Sequence, residues 1–398
     1  MKKSNKGVPI FMFSIFFLGC QHVNQQKVLK EDLSVIDLSE KYLKKEILLQ
    51  DIADIEYIAL QTTDDVIISG GSNIAYISDE YIVIRDVSQN TIFVFNREGK
   101  IISHFNRIGS GSQEYIGGIA KSVVDGINEE IFVIDFHKIL VYSFSGEYKR
   151  TLPVSQEYVL MDAYNFDNNN LLICDNNGVR QNSGYREYPY YLMSKQDGSI
   201  TYILNICLPI RYTNRWATEV ELPGGEKGLV GNSIPINNNR CYGQDFVIAD
   251  ISSDTIYIFT RNRILTPMFV RTPSVHSSDP KTVWTSTMIT DRFIILEKTT
   301  LDIKAAERGR QIPNVNLMYE FETGQICQPS IVNDDYVTRQ WYPSTGNVNI
   351  SKNMAVNLMQ TSRLVGAYKE KLLRGELEKL VSTLDEEDNP VVAIVKFK

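Results

Sequence analysis

The sequence is short of the residues that build metal and redox centres. It contains 4 His and 5 Cys in 398 residues. Four of the cysteines, Cys174, Cys207, Cys241 and Cys327, form no Cys-x-x-Cys pair, and no two His lie close in sequence. These spacings argue against a zinc or redox site, so we expect no metal and no cofactor. Buried thiols are the simpler interpretation of the four cysteines, and their disulfide status stays open.

Basic clusters and long apolar runs are also scarce. Lys and Arg number 41 against 48 Asp and Glu, which gives a net charge of −7. An acidic balance without basic patches argues against nucleic-acid binding. No segment beyond the N-terminus approaches the roughly 18 consecutive apolar residues of a membrane-spanning helix. With 43% hydrophobic and 22% charged residues, the composition excludes a disordered chain or a collagen-like repeat and indicates a globular protein.

The N-terminus has the features of an export signal. Three Lys precede an apolar segment at 8–18 that is too short to span a bilayer, and a Gly and Cys20 follow directly. A small residue before a Cys at this place resembles the bacterial lipobox. We therefore predict a signal peptide over 1–19, lipidation at Cys20, and a tether and lead-in over 20–50. The alternative is a plain secretory signal with a coincidental Cys.

The middle of the chain repeats one hairpin. From about residue 54 to 330, apolar and polar residues alternate with period 2, which is typical of strands with one buried face. A strand, a tight polar turn and a second strand recur five times. The five hairpins cover 91–105, 139–152, 190–204, 255–265 and 315–327. Two further short strands precede most of them, and four short strands per repeat indicate a β-propeller.

The two ends of the chain supply the sixth blade. Residues 55–60 and 391–397 are both clear strands, and pairing them in one sheet would close the ring. We therefore predict an all-β fold, a six-bladed β-propeller over 51–398 closed by its N- and C-terminal strands. Apolar residues at helical spacing also predict one amphipathic helix at about 362–385, inserted in the last blade and packed on it.

Four segments occur in the order found in a known family. After the lipoprotein-like signal they are Ile55 to Asp64, Phe93 to Lys100, Arg107 to Tyr115 and Asp388 to Pro390. In this order the chain resembles the six-bladed β-propeller lipoproteins of Bacteroidota, relatives of the NHL-repeat propellers. The resemblance implies the fold and a location in the cell envelope, and it carries over no catalytic residue.

The most specific of these segments is rich in glycine. In the family it typically runs Gly-Arg-Gly-Pro-Gly-Glu-Tyr, and here Gly109, Gly111, Glu114 and Tyr115 match, while Ser110, Ser112 and Gln113 depart. A phosphate loop is excluded because the Gly-Lys-Ser/Thr ending and the following helix are missing. We interpret the four matching residues as a structural loop that joins blade 1 to blade 2.

The long connections of the predicted propeller fall on one face. They occupy the positions between strands 2 and 3 and between blades, at 176–187, 209–234, 298–314, 329–347 and 362–389. These segments are rich in Arg and aromatic residues, which bind carboxylates, peptides or sugar rings through forked hydrogen bonds and stacking. The alternative is that each side chain packs over its own blade. The candidate ligand-binding residues are Arg186, Tyr188, Arg211, Arg215, Trp216, Arg308, Arg310, Trp341 and Tyr342.

The sequence thus predicts an envelope lipoprotein, with the outer membrane favoured over the inner. Its loop-rich face would bind an extracytoplasmic peptide, glycan or protein, and the propeller is expected to be monomeric. No catalytic motif is evident. Two alternatives remain. A propeller hydrolase or lyase acting on glycans or peptides would need acidic or His side chains that converge at the channel mouth. A structural scaffold of an envelope assembly would need an apolar or flat patch.

Overall fold

A computed structural model gives the fold of the chain. It describes residues 33–116, 119, 122–135, 138–154, 160–175, 187–221, 227–234, 239–308, 310, 312, 314–338, 340–341, 348–351 and 353–398. The predicted signal peptide and Cys20 therefore lie outside the described residues.

Six sheets, each with four antiparallel strands as its core, form the six blades of a β-propeller, and two of these sheets carry additional strands at an edge. Blade 1 comprises β4 (Ser72–Ile77), β5 (Tyr81–Asp86), β6 (Thr91–Asn96) and β7 (Ile101–Phe105). Blade 2 comprises β8 (Ser122–Asp125), β9 (Glu130–Asp135), β10 (Lys138–Ser143) and β11 (Tyr148–Pro153). Blade 3 comprises β12 (Leu160–Asn165), β13 (Asn170–Asp175), β14 (Tyr190–Ser194) and β15 (Ile200–Ile203).

The remaining blades follow the same plan. Blade 4 comprises β18 (Asn239–Tyr242), β19 (Asp245–Ile248), β20 (Thr255–Phe259) and β21 (Leu265–Thr272). Blade 5 comprises β22 (Lys281–Ile289), β23 (Phe293–Leu301), β24 (Asn314–Glu320) and β25 (Ile326–Asn333). Blade 6 comprises β27 (Val348–Ser351), β28 (Met354–Met359), β29 (Val391–Phe397) and β3 (Ala53–Ala59).

The first strand of each blade lies innermost. Strand β4 contacts β8, β8 contacts β12, and β22 contacts both β18 and β27. All five predicted hairpins are confirmed as strands 3 and 4 of blades 1 to 5. Because neighbouring strands run antiparallel, the 1–2 and 3–4 turns lie on one face of the disc. The 2–3 connections and the connections between blades lie on the other, which we name the loop-rich face.

Alternation along each strand fills the interfaces between blades. In β6, Ile92 and Val94 pack toward blade 2, whereas Phe93 and Phe95 pack toward blade 6. All four side chains are at most 2% exposed. Fully burying a side chain of this size contributes about 1.5–3 kcal/mol. The period-2 pattern of the sequence therefore serves two neighbouring interfaces at once.

The chain ends close the ring as predicted. Strand β3 pairs with β29 along its full length, from Ala53 opposite Phe397 to Ala59 opposite Val391. The turn of blade 1 packs tightly against this strand. Gly99 has a φ of +78°, and a Cβ there would lie 2.2 Å from the carbonyl oxygen of Ala59. Only glycine fits this close approach.

The lead-in predicted over 20–50 differs in its described part. Strand β1 (Ser34–Asp37) pairs in parallel with β21, and β2 (Lys44–Leu48) pairs in parallel with β25. A short helix, α1 (Leu49–Ile52), then leads into blade 6. Ile36, Leu38 and Leu49 are buried against blades 4 and 5. These strands cover the outer edges of two blades, which would otherwise present unpaired backbone groups.

Three long connections contain regular elements that the sequence analysis did not predict. The connection between blades 3 and 4 holds a hairpin, β16 (Arg215–Glu221) and β17 (Lys227–Ser233). The 2–3 connection of blade 5 holds helix α2 (Ile303–Glu307), whose N-cap Asp302 accepts a hydrogen bond from the Ala305 amide. Strand β26 (Gln340–Trp341) pairs with β25 after blade 5.

The prediction of one continuous helix at 362–385 is wrong, although the segment is helical in two parts. Two helices are present, α3 (Thr361–Lys369) and α4 (Gly375–Val381), between the second and third strands of blade 6. Lys371 and Gly375 have φ values of +60° and +61°. A right-handed helix cannot continue through this left-handed backbone, so the chain changes direction between α3 and α4. Leu373 between them forms an isolated β-bridge with Tyr336. That backbone pairing replaces the helical hydrogen bonds which the side-chain pattern implied.

None of the four described cysteines forms a disulfide with another described cysteine. Cys174 is buried, Cys207 is exposed, and Cys241 and Cys327 are half-buried. Burial raises the pKa of the Cys174 thiol above its ordinary value, so this thiol stays protonated. Among the described residues, no helix has both the length and the apolar character needed to cross a membrane.

Candidate functional site

The Gly-rich loop is held by its own side chains. The Gly111 amide donates to Glu114 Oε2 at 2.8 Å, and a Cβ on Gly109 would lie 2.0 Å from the same oxygen. Tyr115 is fully buried, where its hydroxyl accepts the Arg107 amide at 2.8 Å and donates to the Asn90 carbonyl at 3.0 Å. The contacts described for these four predicted residues all lie within the junction of blades 1 and 2.

The predicted ligand-binding residues do not meet in one described cavity. Tyr188, Arg308 and Arg310 are exposed and Arg211 is half-buried, all on connections of the loop-rich face. Arg186 and Tyr342 lie outside the described residues. For Arg215, Trp216 and Trp341 only the backbone is described, in β16 and β26. These nine residues stay a prediction.

A cavity that the sequence analysis did not predict lies between blades 5 and 6. Its volume is about 390 Å³, within the range of small-molecule sites. It opens on the loop-rich face, because it is bounded by the end of β28, the start of α3 and the segment after β25. Its lining is Ile55, Tyr57, Asn333, Tyr336, Asn357, Leu358, Met359, Gln360, Arg363, Leu364, Ala367, Ala393 and Val395. We name this the blade 5–6 cavity.

Strand register builds the floor of the cavity. Asn357, Ala393 and Tyr57 lie side by side on three neighbouring strands of blade 6. They share the face of Ile55 and Val395, which pack toward blade 5. The small Ala393 between two larger residues leaves the depression in which the cavity lies. Helix α3 forms the opposite wall with Leu364 and Ala367.

The back wall is a closed hydrogen-bond network. Tyr57 donates its hydroxyl to Asp335 Oδ2 at 2.5 Å and accepts from Asn333 Nδ2 at 3.3 Å. Gln50 in turn donates to Asn333 Oδ1 at 2.7 Å. Burial, then the bond to Asp335, raises the pKa of Tyr57 far above its usual range. Burial likewise raises the pKa of Tyr336 to about 12. Both phenols therefore stay neutral, and Tyr57 remains a hydrogen-bond donor.

The mouth of the cavity has a different character. Asn357, Gln360 and Arg363 line it, and within the described part of the chain none of their side chains has a hydrogen-bond or ion-pair partner. Gln360 precedes α3 as its N-cap, yet its side chain does not cap the helix. Two amides and one guanidinium thus present unused donors and acceptors beside the aliphatic side chains of Ile55, Val395 and Leu364. This combination suits a ligand with polar groups at one end and an apolar body.

A second cavity, of about 520 Å³, lies on the opposite face between blades 2 and 3. Its charged groups already have partners. Arg150 makes two bonds of 2.7 Å to Glu130, and Lys195 lies 2.6 Å from Asp125. Burial is the largest single effect on Asp125 and would raise its pKa, but the hydrogen bonds from Lys195 and Asn128 and the charge of Lys195 together outweigh it, so the pKa is lowered. Burial lowers the pKa of Lys195 despite that bond. This network stabilises the junction and leaves little free for a ligand.

Neither cavity brings together the groups of a metal centre. In the part of the chain that the structure describes, no three His, Cys, Asp or Glu side chains are placed to share a metal ion. The lining of the blade 5–6 cavity also contains no Asp, Glu or His. Its polar groups can hold and orient a ligand, but none of them is an ordinary general acid or base.

The fold and this one-sided site define a class, the six-bladed β-propellers with elaborated connections on one face. Residues 33–396 match the family described as Domain of unknown function (DUF4934), and the chain belongs to that family. No curated protein matches the sequence.

One of three solved structures that match the chain, a protein of Bacteroides fragilis, has a TM-score above 0.5 and shares the fold. A protein of Bacteroides fragilis described as exported is 16% identical with a TM-score of 0.62, over 92% of this chain and 100% of that one. A member of the DUF4221 family from Bacteroides vulgatus is 8% identical with a TM-score of 0.46, over 88% and 99%. The virginiamycin B lyase of Staphylococcus aureus is 11% identical with a TM-score of 0.36, over 86% and 99%.

The residues of the blade 5–6 cavity left only a weak signal in the sequence. Arg363 lies in the long insert at 362–389, which was recognised as part of the loop-rich face. The helical spacing of the apolar residues in this insert, however, predicts a helix packed on the propeller and does not indicate a cavity wall. Asn357 interrupts an otherwise apolar strand with a polar residue on an inward-facing position. Such an interruption was the one available indication of a polar site.

Proposed function

We propose that this protein is an envelope lipoprotein, anchored through Cys20, whose β-propeller binds an extracytoplasmic ligand in the blade 5–6 cavity. The observation that carries the proposal is the cavity mouth, where the side chains of Asn357, Gln360 and Arg363 have no partner among the described residues. A binding module needs such unused groups, since a ligand must replace water at polar atoms that the protein itself has not satisfied. The cavity also opens on the face that holds the long connections, where function is usually carried.

The chemistry of the lining indicates the ligand class. Arg363 suits a carboxylate, because its planar guanidinium can donate two parallel hydrogen bonds. The amides of Asn357 and Gln360 each offer a donor and an acceptor, as a peptide group requires. Ile55, Leu364 and other aliphatic groups would contact an apolar side chain. We therefore favour a short peptide with a free carboxylate over a neutral glycan, which offers no anionic group to Arg363.

The proposal is tested with a panel of free-acid dipeptides and tripeptides, their C-terminal amides and neutral oligosaccharides. Thermal shift identifies the compounds that stabilise the protein, and calorimetry gives their affinities. Ala393→Leu places a larger side chain in the floor of the cavity, and Arg363→Gln removes the cation. Both variants should lose most of the affinity for the free-acid peptides. Lys379→Gln is the matched control, because Lys379 is an exposed cation of the same insert that pairs with Glu376.

The outcomes separate the site from the ligand class. Binding that is equal in Ala393→Leu and in the unmodified protein would place the ligand elsewhere and refute the site. Tight binding of amides or oligosaccharides that Ala393→Leu abolishes would keep the site and replace the ligand class. The hydrolase or lyase alternative would instead require acidic or His side chains, and the described lining of this cavity contains none.

A further inference from the structure

A second group of polar atoms without partners lies far along the chain from the blade 5–6 cavity. Two half-buried arginines show the usual arrangement in this protein. Arg97 is 3.0 Å from Glu56, and Arg150 is 2.7 Å from Glu130. Arg85 differs from both because no carboxylate pairs with its guanidinium among the described residues. Its Nε is also buried and has no hydrogen-bond partner among them, as is true of Nη1 of Arg97.

Strand register places Arg85 at the junction of blades 1 and 2. Arg85 is next to last in β5 and lies opposite Asn73 of the innermost strand. It shares the face of Val83, which packs into the cluster between blades 1 and 2. Ser122 begins β8 in blade 2 and shares the face of Val124, which packs into the same cluster. Arg85 and Ser122 therefore face the same interface at its loop-rich end, close to the channel.

Ser122 repeats the feature seen at Arg85. Its Oγ is also buried and has no hydrogen-bond partner among the described residues. The first strands of the two blades, β4 and β8, contact each other. Two strands from different blades thus direct donors into one interface where the described residues supply no acceptor. A buried donor without a partner is rare in folded proteins, and two of them at one place indicate an acceptor supplied from outside.

The charge balance at this position is unfavourable without that acceptor. Burial lowers the pKa of Arg85, but a guanidinium stays protonated in proteins. The neighbouring carboxylate, Asp86, points to the opposite face and accepts bonds from Ser69 and Gln89. A partly desolvated cation that has no counterion among the described residues is costly. An anion bound here would offset that cost.

We propose that Arg85 and Ser122 form a binding site for a small oxyanion, a carboxylate or a phosphate group, at the loop-rich end of the interface between blades 1 and 2. The planar guanidinium would donate in parallel to two oxygens, and the Ser122 hydroxyl would donate to one of them. The site is independent of the blade 5–6 cavity, so either can fail without the other.

The test uses the full-length protein with acetate or inorganic phosphate as the probe, at constant ionic strength set with chloride. We expect a saturable rise in Tm with at least one of the two anions. The anion that binds more tightly shows whether the site prefers a carboxylate or a phosphate group. Arg85→Met should abolish the rise. Arg85→Lys should weaken binding about tenfold, because a point charge replaces the fork, and Ser122→Ala should weaken it by a smaller factor. Arg97→Met is the matched control and should bind as the unmodified protein does.

A second readout covers the case in which Arg85→Met does not fold. The Nε–H resonance of Arg85, assigned by its loss in Arg85→Lys, should shift on anion addition with the same midpoint as the Tm. Equal Tm rises in Arg85→Met and in the unmodified protein would identify a general salt effect and overturn the proposal. An Arg85 resonance that both anions leave unchanged would overturn it as well.

Discussion

Removing the Tyr57 hydroxyl tests the back wall of the blade 5–6 cavity. Tyr57→Phe keeps the ring and deletes the bond of 2.5 Å to Asp335 and the bond of 3.3 Å from Asn333. A hydrogen bond to a charged group contributes about 1.5–3 kcal/mol. In the variant, the half-buried carboxylate of Asp335 loses the hydroxyl that donates to it. We therefore expect the free energy of unfolding to fall by about 2 kcal/mol. Urea denaturation followed by circular dichroism measures it.

Tyr336→Phe is the control for this measurement. Tyr336 lines the same cavity, but its hydroxyl makes no side-chain hydrogen bond within the described part of the chain. Its loss should change the free energy of unfolding by less than about 0.5 kcal/mol. In the double variant Tyr57→Phe/Asp335→Asn, the cost should be at least about 1 kcal/mol below the sum of the single costs, since the two residues share one bond.

Two results would refute this reasoning. Equal stability of Tyr57→Phe and Tyr336→Phe would show that the bond to Asp335 contributes nothing. Additive costs in the double variant would show that the two side chains act separately. The pH dependence gives a further check. Burial raises the pKa of Tyr57, so the phenol is neutral in the folded and unfolded protein up to about pH 9. The loss of unfolding free energy in Tyr57→Phe that comes from the phenol should therefore not change as the phenol titrates below about pH 9.

Three further predictions concern the ring, the anchor and the opposite face. Ile394→Ala, which truncates a fully buried side chain of the closing strand β29, should lower the free energy of unfolding by about 2–5 kcal/mol in urea denaturation, and an unchanged value would refute the closure as a packed interface. Cys20→Ala should move the protein from the membrane to the soluble fraction of fractionated cells, and retention in the membrane would refute the lipid anchor. Asp125→Asn should destabilise the protein at neutral pH, because it removes the partner of buried Lys195. The difference should shrink as the pH falls through the lowered pKa of Asp125, and a pH-independent difference would refute the pair.

The blades could be predicted because each one is specified locally. A strand, a Gly turn and a strand with period 2 encode one hairpin, and the sequence repeats this unit with recognisable spacing. The closing pair, β3 with β29, could be predicted because a strand remained at each end of the chain. In both cases the signal is carried by consecutive residues.

The lead-in strands and the broken helix could not be predicted in this way. Strands β1 and β2 are short, and each pairs in parallel with a strand more than two hundred residues away, so no turn marks them. The helical pattern of 362–385 continues through Leu372 and Leu373. The break there is caused by the backbone pairing of Leu373 with Tyr336, which belongs to a different blade. Tertiary contact overrides the local pattern at this point.

The blade 5–6 cavity is the clearest case of information that is absent from any one segment. Its floor depends on Ala393 lying between Asn357 and Tyr57 across three strands. A shift of one residue in either pairing would turn those side chains to the other face. Residues far apart in sequence meet there only through the register of the closed ring.

The lead-in strands also determine how the protein would respond to mechanical load. If the chain is held at Cys20, tension enters the disc at residue 33 and is borne first by β1 on blade 4 and then by β2 on blade 5. Only after both have peeled away would force reach β3, whose loss opens the ring. Strands β1 and β2 would thus detach, one after the other, before the pairing of β3 with β29 that closes the ring. A tethered molecule could lose and regain these two outer pairings while its loop-rich face stays intact.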